Sequence, residues 1–173
     1  MSGRLIILSM IVAIDVLYSE SSAMVAAVQF EHWQSDDVVF THTLAIEDRS
    51  EYIPGKFYLR ELASILAILK EIDNFTTLVI DGYCHLNECG KKGLGAYLFD
   101  ATKERYPIIG VAKKPFKNSL HATPVYWGNS KKPLYVTSIG IEQDVAASHI
   151  SSMVGSYWVP TLLKQVDSLS RGN

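Results

Sequence analysis

The sequence predicts an α/β fold: a mixed sheet that opens with three antiparallel strands, continues with parallel strands, and is flanked by helices. Three observations carry this expectation. Apolar stretches at 10–18, 23–33 and 38–46 are separated by short polar turns, and short turns join antiparallel neighbours. From Leu59 onward apolar residues fall at helical spacing, with Leu62, Leu66 and Leu69 on one line and Ile65, Ile68 and Ile72 on the next. Two short apolar runs, 76–80 and 107–111, then flank a second helical stretch, the pattern of strands buried on both faces.

Taken in order, the first strand covers 10–18 and carries Asp15 inside an apolar run. The residues before it, from Leu5 through Ile14, could pass for the apolar part of a signal peptide, but the run is too short to span a membrane. Asp15 interrupts it, no small-residue cleavage site follows directly, and β-branched residues continue to Tyr18, so it reads as a buried strand of a soluble, cytoplasmic protein. Polar residues 47–51 lead to Tyr52-Ile53-Pro54-Gly55, a Pro-Gly turn in front of a helix over 62–72. Asp73-Asn74 closes that helix, and the fourth strand (76–80) ends in Asp81-Gly82. A polar loop (83–92), a helix (94–105) and a fifth strand (107–111) follow, then a short strand around 125–127 and another at 134–139. Two closing helices, 143–154 and 161–168, are parted near Pro160. With 173 residues, 48% hydrophobic content and no repeat or linker, residues 1–173 are expected to form one domain.

A net charge of −2 provides no global attraction for nucleic acid, so any such contact must be local. Lysine clusters occur at Lys91-Lys92, at Lys113-Lys114 with Lys117, and at Lys131-Lys132, although paired lysines on loops ordinarily just solvate a surface. Cys84 and Cys89 make no disulfide framework, and their spacing beside His85 is a weak metal signal.

Three carboxylates stand in apolar surroundings: Asp15 inside the first strand, Glu61 one turn ahead of the isoleucine line, and Asp81 at the end of the fourth strand. A lone buried carboxylate is costly, and a first-turn Glu favoured by the helix dipole accounts for Glu61 only if it stands alone. Around one hard divalent cation the three would satisfy one another, leaving water and phosphate to complete the shell. That is the equipment of metal-assisted phosphodiester hydrolysis. An Asp on strand one, a Glu on helix one and an Asp on strand four resembles the arrangement in ribonuclease-H-like nucleases.

The surrounding words are Ala13-Ile14-Asp15-Val16, Tyr52-Ile53-Pro54-Gly55 with Arg60-Glu61, Ile80-Asp81-Gly82, and Ile109-Gly110-Val111-Ala112-Lys113-Lys114. Together they resemble the endonuclease V family, the inosine-directed nucleases. Leu94-Gly95 fits at the family spacing from Gly110, and the likeness covers about residues 11–155. The resemblance implies that Asp15 and Asp81 ligate Mg²⁺ (Mn²⁺ as the alternative ion), with Glu61 holding it directly or through water. It implies that Lys113, with Lys114 beside it, contacts phosphate. Tyr52, Ile53, Pro54 and Gly55 would form the wedge entering the strand beside an extruded base, while Gly82 and Gly95 let backbone approach hypoxanthine. The implied reaction is cleavage of DNA or RNA at the second phosphodiester 3′ to inosine.

The chain departs from the family pattern in places. Gly140-Ile141 stands where a Gly-His pair is usual, with Glu142 or Asp144 as candidate replacements. Residues 87–92 form a longer loop, and Glu51 replaces the proline before the wedge tyrosine. These leave two alternatives: a non-catalytic nucleic-acid-binding relative, and a nuclease of the same fold with another substrate.

Overall fold

A computed structural model of the chain describes residues 9–47, 53–117, 120–156 and 158–173. The strands are β1 (Met10–Tyr18), β2 (Ser22–Phe30), β3 (Phe40–Glu47), β4 (Phe75–Asp81), β5 (Ile108–Ala112), β6 (Thr123–Val125) and β7 (Leu134–Ile139). The helices are α1 (Phe57–Leu69), α2 (Leu94–Ala101), α3 (Gln143–Ser152) and α4 (Thr161–Ser170). All seven strands share one sheet in the order β3-β2-β1-β4-β5-β7-β6. β1, β2 and β3 form the antiparallel meander, β4 and β5 run parallel to β1, and β7 and β6 return antiparallel. The sheet is the mixed one read from the sequence.

Strand alternation divides the core into two layers. Ile11, Ala13, Val79, Ile109 and Val111 face one side, where Ala146, Ile150, Leu162 and Val166 of α3 and α4 pack on them. Val12, Ile14, Leu78, Ile80 and Ile108 face the other, against Ile65 and Ile68 of α1 and Leu94 and Leu98 of α2. With both faces covered, the central strands must be apolar at every position, which is why β1, β4 and β5 show no alternation in sequence. No helix among the described residues is long and apolar enough to cross a membrane. The stretch 5–8 in front of β1 lies outside the described residues.

Boundaries differ from expectation where local chemistry intervenes. α1 starts at Phe57, directly after the Pro-Gly turn, rather than at Leu62, because Tyr58 packs on the α2 side and carries the helix pattern back to the turn. It ends at Leu69, where Glu71 N–H and Ile72 N–H bond to carbonyls three residues back and tighten the chain. α2 stops at Ala101 because Lys103 and Glu104 both adopt left-handed backbone. β3 begins at Phe40 rather than Val38. β6 occupies 123–125 rather than 125–127, with Trp127 turned into the core beyond it.

One close approach fixes how β5 meets the neighbouring loop. A Cβ at Gly110 would sit 2.5 Å from Gly82 O and 2.8 Å from Thr137 Oγ1. Gly110→Ala is therefore expected to destabilise the protein by about 1–3 kcal/mol through overpacking, read as a lower urea midpoint at unchanged slope. Gly128→Ala meets no atom within 4 Å but sits at positive φ, so it is expected to cost only about 1 kcal/mol.

Candidate active site

The site follows from one register. β1 and β4 pair in parallel with Ile14 opposite Ile80, so Asp15, still inside β1, and Asp81, the last residue of β4, stand side by side where the pairing of the two strands ends. Neighbouring strands lie about 4.8 Å apart. Alternation places both side chains on the α3–α4 side, in line with Ala13 and Val79. β4 pairs with β5 at Asp81–Val111, so Val111 is level with Asp81, and Lys113 follows two residues beyond it just past the end of β5.

Two helices bring further carboxylates from opposite sides. Glu61, on the second turn of α1, lines a small cleft with Asp15, Val16, Asp81 and Leu94. Asp167, on the last turns of α4, lines a second cleft with Asp15, Asp81, Lys113 and Leu134. Ser170 Oγ donates to Asp15 Oδ2 at 3.3 Å, which ties the end of α4 to β1. Asp15 Oδ1 accepts the Val16 N–H at 2.9 Å.

Four carboxylates face two cations. Lys113 Nζ stands 3.9 Å from Asp167 Oδ1, and Arg171 Nε lies 3.3 Å from both Asp167 oxygens. Burial, aided by Asp81 and Asp167, pushes the Asp15 carboxyl up to about 7. Burial, with Asp81 and Asp15 nearby, does the same to Glu61, also to about 7. Burial raises Asp81 as well, opposed by Lys113. Asp167 goes the other way: burial, the largest single influence, works to raise it, but hydrogen bonds from Arg171 and with Asp15, together with the charges of Lys113 and Arg171, hold it below the usual range. Asp15 and Asp167 are within hydrogen-bonding reach, so a proton or a cation must lie between them for both to stay.

Among the described residues no three acidic, imidazole or thiol groups are closed into a ready-made ion cage. The donors fit a hard divalent cation: all are carboxylate oxygens, and they carry more negative charge than Lys113 and Arg171 offset.

The remaining sequence candidates fall around this centre. Ile53, Pro54, Gly55 and Lys56 form a turn closed by Lys56 N–H to Ile53 O at 3.1 Å, with Gly55 at φ +79, as a type II turn requires. Ile53 is 53% exposed at its start. Tyr52 and Glu51 lie outside the described residues. Gly82, at φ +145, takes the backbone away from Asp81. Gly95 packs on Cys84, where a Cβ would meet Sγ at 2.4 Å, so close packing of α2 on the 83–92 loop already requires a glycine there. Lys114 points to solvent while its carbonyl accepts the Tyr83 hydroxyl at 2.7 Å.

Sequence reasoning missed Asp167 and looked for a fourth polar group in the wrong place. β7 runs antiparallel to β5 with Ile139 opposite Ile108, so residues 140–144 emerge at the far end of the sheet from Asp15 and Asp81. Glu142 and Asp144 therefore start α3 away from the site. A signal for Asp167 did exist: it stands four residues after Leu163 and three before Ser170, on the inward side of an amphipathic helix.

Residues 3–147 match the family described as endonuclease V. The chain is 30% identical over 164 residues to endonuclease V of Pyrococcus horikoshii, covering 94% of this chain and 73% of that one. It is similar to the crystal structure of endonuclease V from Streptomyces avermitilis, with a TM-score of 0.74 at 26% identity, over 95% of this chain and 80% of that one. The fold also matches Ciona intestinalis endonuclease V bound to a 24-mer DNA containing an inosine followed by a ribo-adenosine. There the TM-score is 0.74 at 16% identity, over 99% of this chain and 87% of that one. Register, converging carboxylates and these likenesses agree: the chain belongs to the endonuclease V family.

Proposed function

We propose that the protein is a divalent-metal-dependent endonuclease that hydrolyses a phosphodiester bond 3′ to inosine in a DNA or RNA strand. The observation that carries this reading is the placement of Asp15 and Asp81 one step beyond the Ile14–Ile80 pair, with Glu61 and Asp167 arriving from opposite faces. Family membership and the inosine-containing DNA in the Ciona structure support the choice of substrate.

In this reading Asp15, Glu61 and Asp81 hold Mg²⁺ or Mn²⁺, with Asp167 as a fourth oxygen donor. The bound ion would supply an activated water and charge neutralisation at the phosphate. Lys113, two residues beyond the Val111 that pairs with Asp81, meets a phosphate oxygen and leaves Asp167 to do so. Arg171 keeps Asp167 ionised and oriented while Lys113 is engaged. The turn from Ile53 to Lys56 presents an apolar side chain ahead of α1, where a base displaced from its stack would be wedged.

Three results test the reading. With Mg²⁺ or Mn²⁺, the wild type is expected to cut an inosine-containing strand and to leave the matched adenosine strand intact. Asp81→Ala should lose at least about 100-fold in single-turnover rate, and Lys113→Ala a comparable factor with little change in KM. If the wild type cuts no faster than Asp81→Ala, the activity assignment falls.

Stability supplies an independent check. Glu61 binds its proton more tightly folded than unfolded, so its contribution falls as pH rises from about 4.5 to about 7, and the full penalty remains above that. Without divalent metal, Glu61→Gln is expected to be more stable than wild type at pH 8, on the order of 1–2 kcal/mol after solvent screening. The gain should vanish near pH 4, and saturating Mg²⁺ at pH 8 should shrink it, because only the carboxylate gains from the ion. Thermal melts at the two pH values, with and without Mg²⁺, read this directly.

A further inference from the structure

The overall charge of −2 hides a segregation along the chain. Between Glu104 and Glu142 there is no Asp or Glu at all, yet this segment holds Lys113, Lys114, Lys117, Lys131 and Lys132. The topology gathers these lysines at one end of the sheet. β5 ends beside the carboxylates, β7 runs back antiparallel with Ala112 opposite Tyr135, and β6 pairs Val125 with Leu134. The β6–β7 loop, residues 126–133, therefore emerges at the catalytic end, one strand beyond Lys113. Leu134, directly after the loop, lines the same cleft as Asp15, Asp81, Lys113 and Asp167.

The loop combines charge with an aromatic surface and is held in shape. Ser130 N–H bonds to Trp127 O at 2.8 Å, Lys132 N–H donates to Ser130 Oγ at 3.2 Å, and Trp127 is sunk in the core. Trp158, at the entry to α4, donates its indole N–H to Pro133 O at 3.4 Å, and Lys132 Nζ lies 5.4 Å over its ring. Tyr126 is 57% exposed. Lys131 and Lys132 are exposed, and neither forms an ion pair among the described residues. Exposed lysines unspent on internal pairs, beside an exposed ring on an ordered loop, are suited to a single-stranded nucleic acid: phosphates for the ammonium groups, a base for the ring.

We propose that the β6–β7 loop is a second anchoring point for the nucleic-acid strand, with Lys131 and Lys132 binding its phosphates and Tyr126 stacking a base. The strand leaving the carboxylates past Lys113 continues across β7 to this loop, so binding depends on strand length on one side of the cut. This inference rests on the nuclease reading above. Because the loop is already ordered, little conformational entropy is lost when the strand docks.

The test uses fluorescent inosine-containing strands extended on the 5′ side only, on the 3′ side only, or on neither, with anisotropy read across a salt series without divalent metal. Wild type is expected to bind one of the two extended strands more tightly than the short one. Lys131→Gln with Lys132→Gln, which removes both charges but keeps polar side chains, should lose that gain and flatten the salt slope on the extended strand by about 1.4, as for two single-strand phosphates. Tyr126→Ala should weaken the same strand about tenfold at unchanged salt slope. The short strand, ending before the loop, should bind wild type and variants alike. Equal affinity and slope for wild type and the double variant on both extended strands would overturn the inference and leave the nuclease reading standing. A wild type that binds none of the strands would overturn both.

Discussion

The structure is governed by a crowding of like charge that its own sheet register enforces. Ile14 opposite Ile80 leaves Asp15 and Asp81 no freedom to separate, because both strands are locked by apolar side chains on both faces. At strand spacing, two ionised carboxylates repel by about 3 kcal/mol at an effective dielectric constant of 20. A typical domain is stable by only about 5–15 kcal/mol, so a handful of such pairs is a heavy charge on the fold. A covered double-layer core can hold such a site in place, and a cation or bound protons must then relieve it.

The protein distributes the relief unevenly. Lys113 and Arg171 both turn to Asp167, which stays ionised below the usual range. Among the described residues Asp15 and Glu61 have no comparable cationic partner, and both rise to about 7. In the proposed function, Asp15 and Glu61 would hold the cation in place of their protons, and Lys113, beside Asp167, would be the cation of the site available to a phosphate.

The sequence made the parts governed by local chemistry readable. Asp15 broke an apolar strand, Glu61 stood on an isoleucine line, and Asp81 ended a continuous apolar run; each was visible as a polar residue where burial should have forbidden one. The antiparallel meander was legible from its short turns. Asp167 was not seen, although it sits on the inward side of an amphipathic helix, because its row is set by Leu163 and Ser170 rather than by a run of isoleucines like the one behind Glu61. The direction of β7 decided the other error. Only the pairing of β5 with β7 shows that residues 140–144 leave at the wrong end of the sheet. Single-residue burial can be inferred from pattern, but which loops share one end of a sheet is a property of strand pairing.

The Pro-Gly turn and Glu61 belong to one mechanical unit. Phe57 opens α1 directly after the turn, and four residues at 1.5 Å rise place Glu61 about 6 Å further along the same helix. α1 is fixed below by Ile65 and Ile68 in the core and sideways by the Tyr58–Tyr97 stack, with ring centroids 4.1 Å apart, onto α2. α2 in turn begins at Leu94, whose Cδ2 would lie 3.8 Å from a Cβ at Gly82, directly after Asp81. In the proposed function, a strand pressing on the turn would bear on a short, braced helix that carries Glu61. Rigid coupling over this distance would tie contact at the turn to the position of Glu61 relative to Asp81, so that recognition and chemistry would share one helix without a separate moving part.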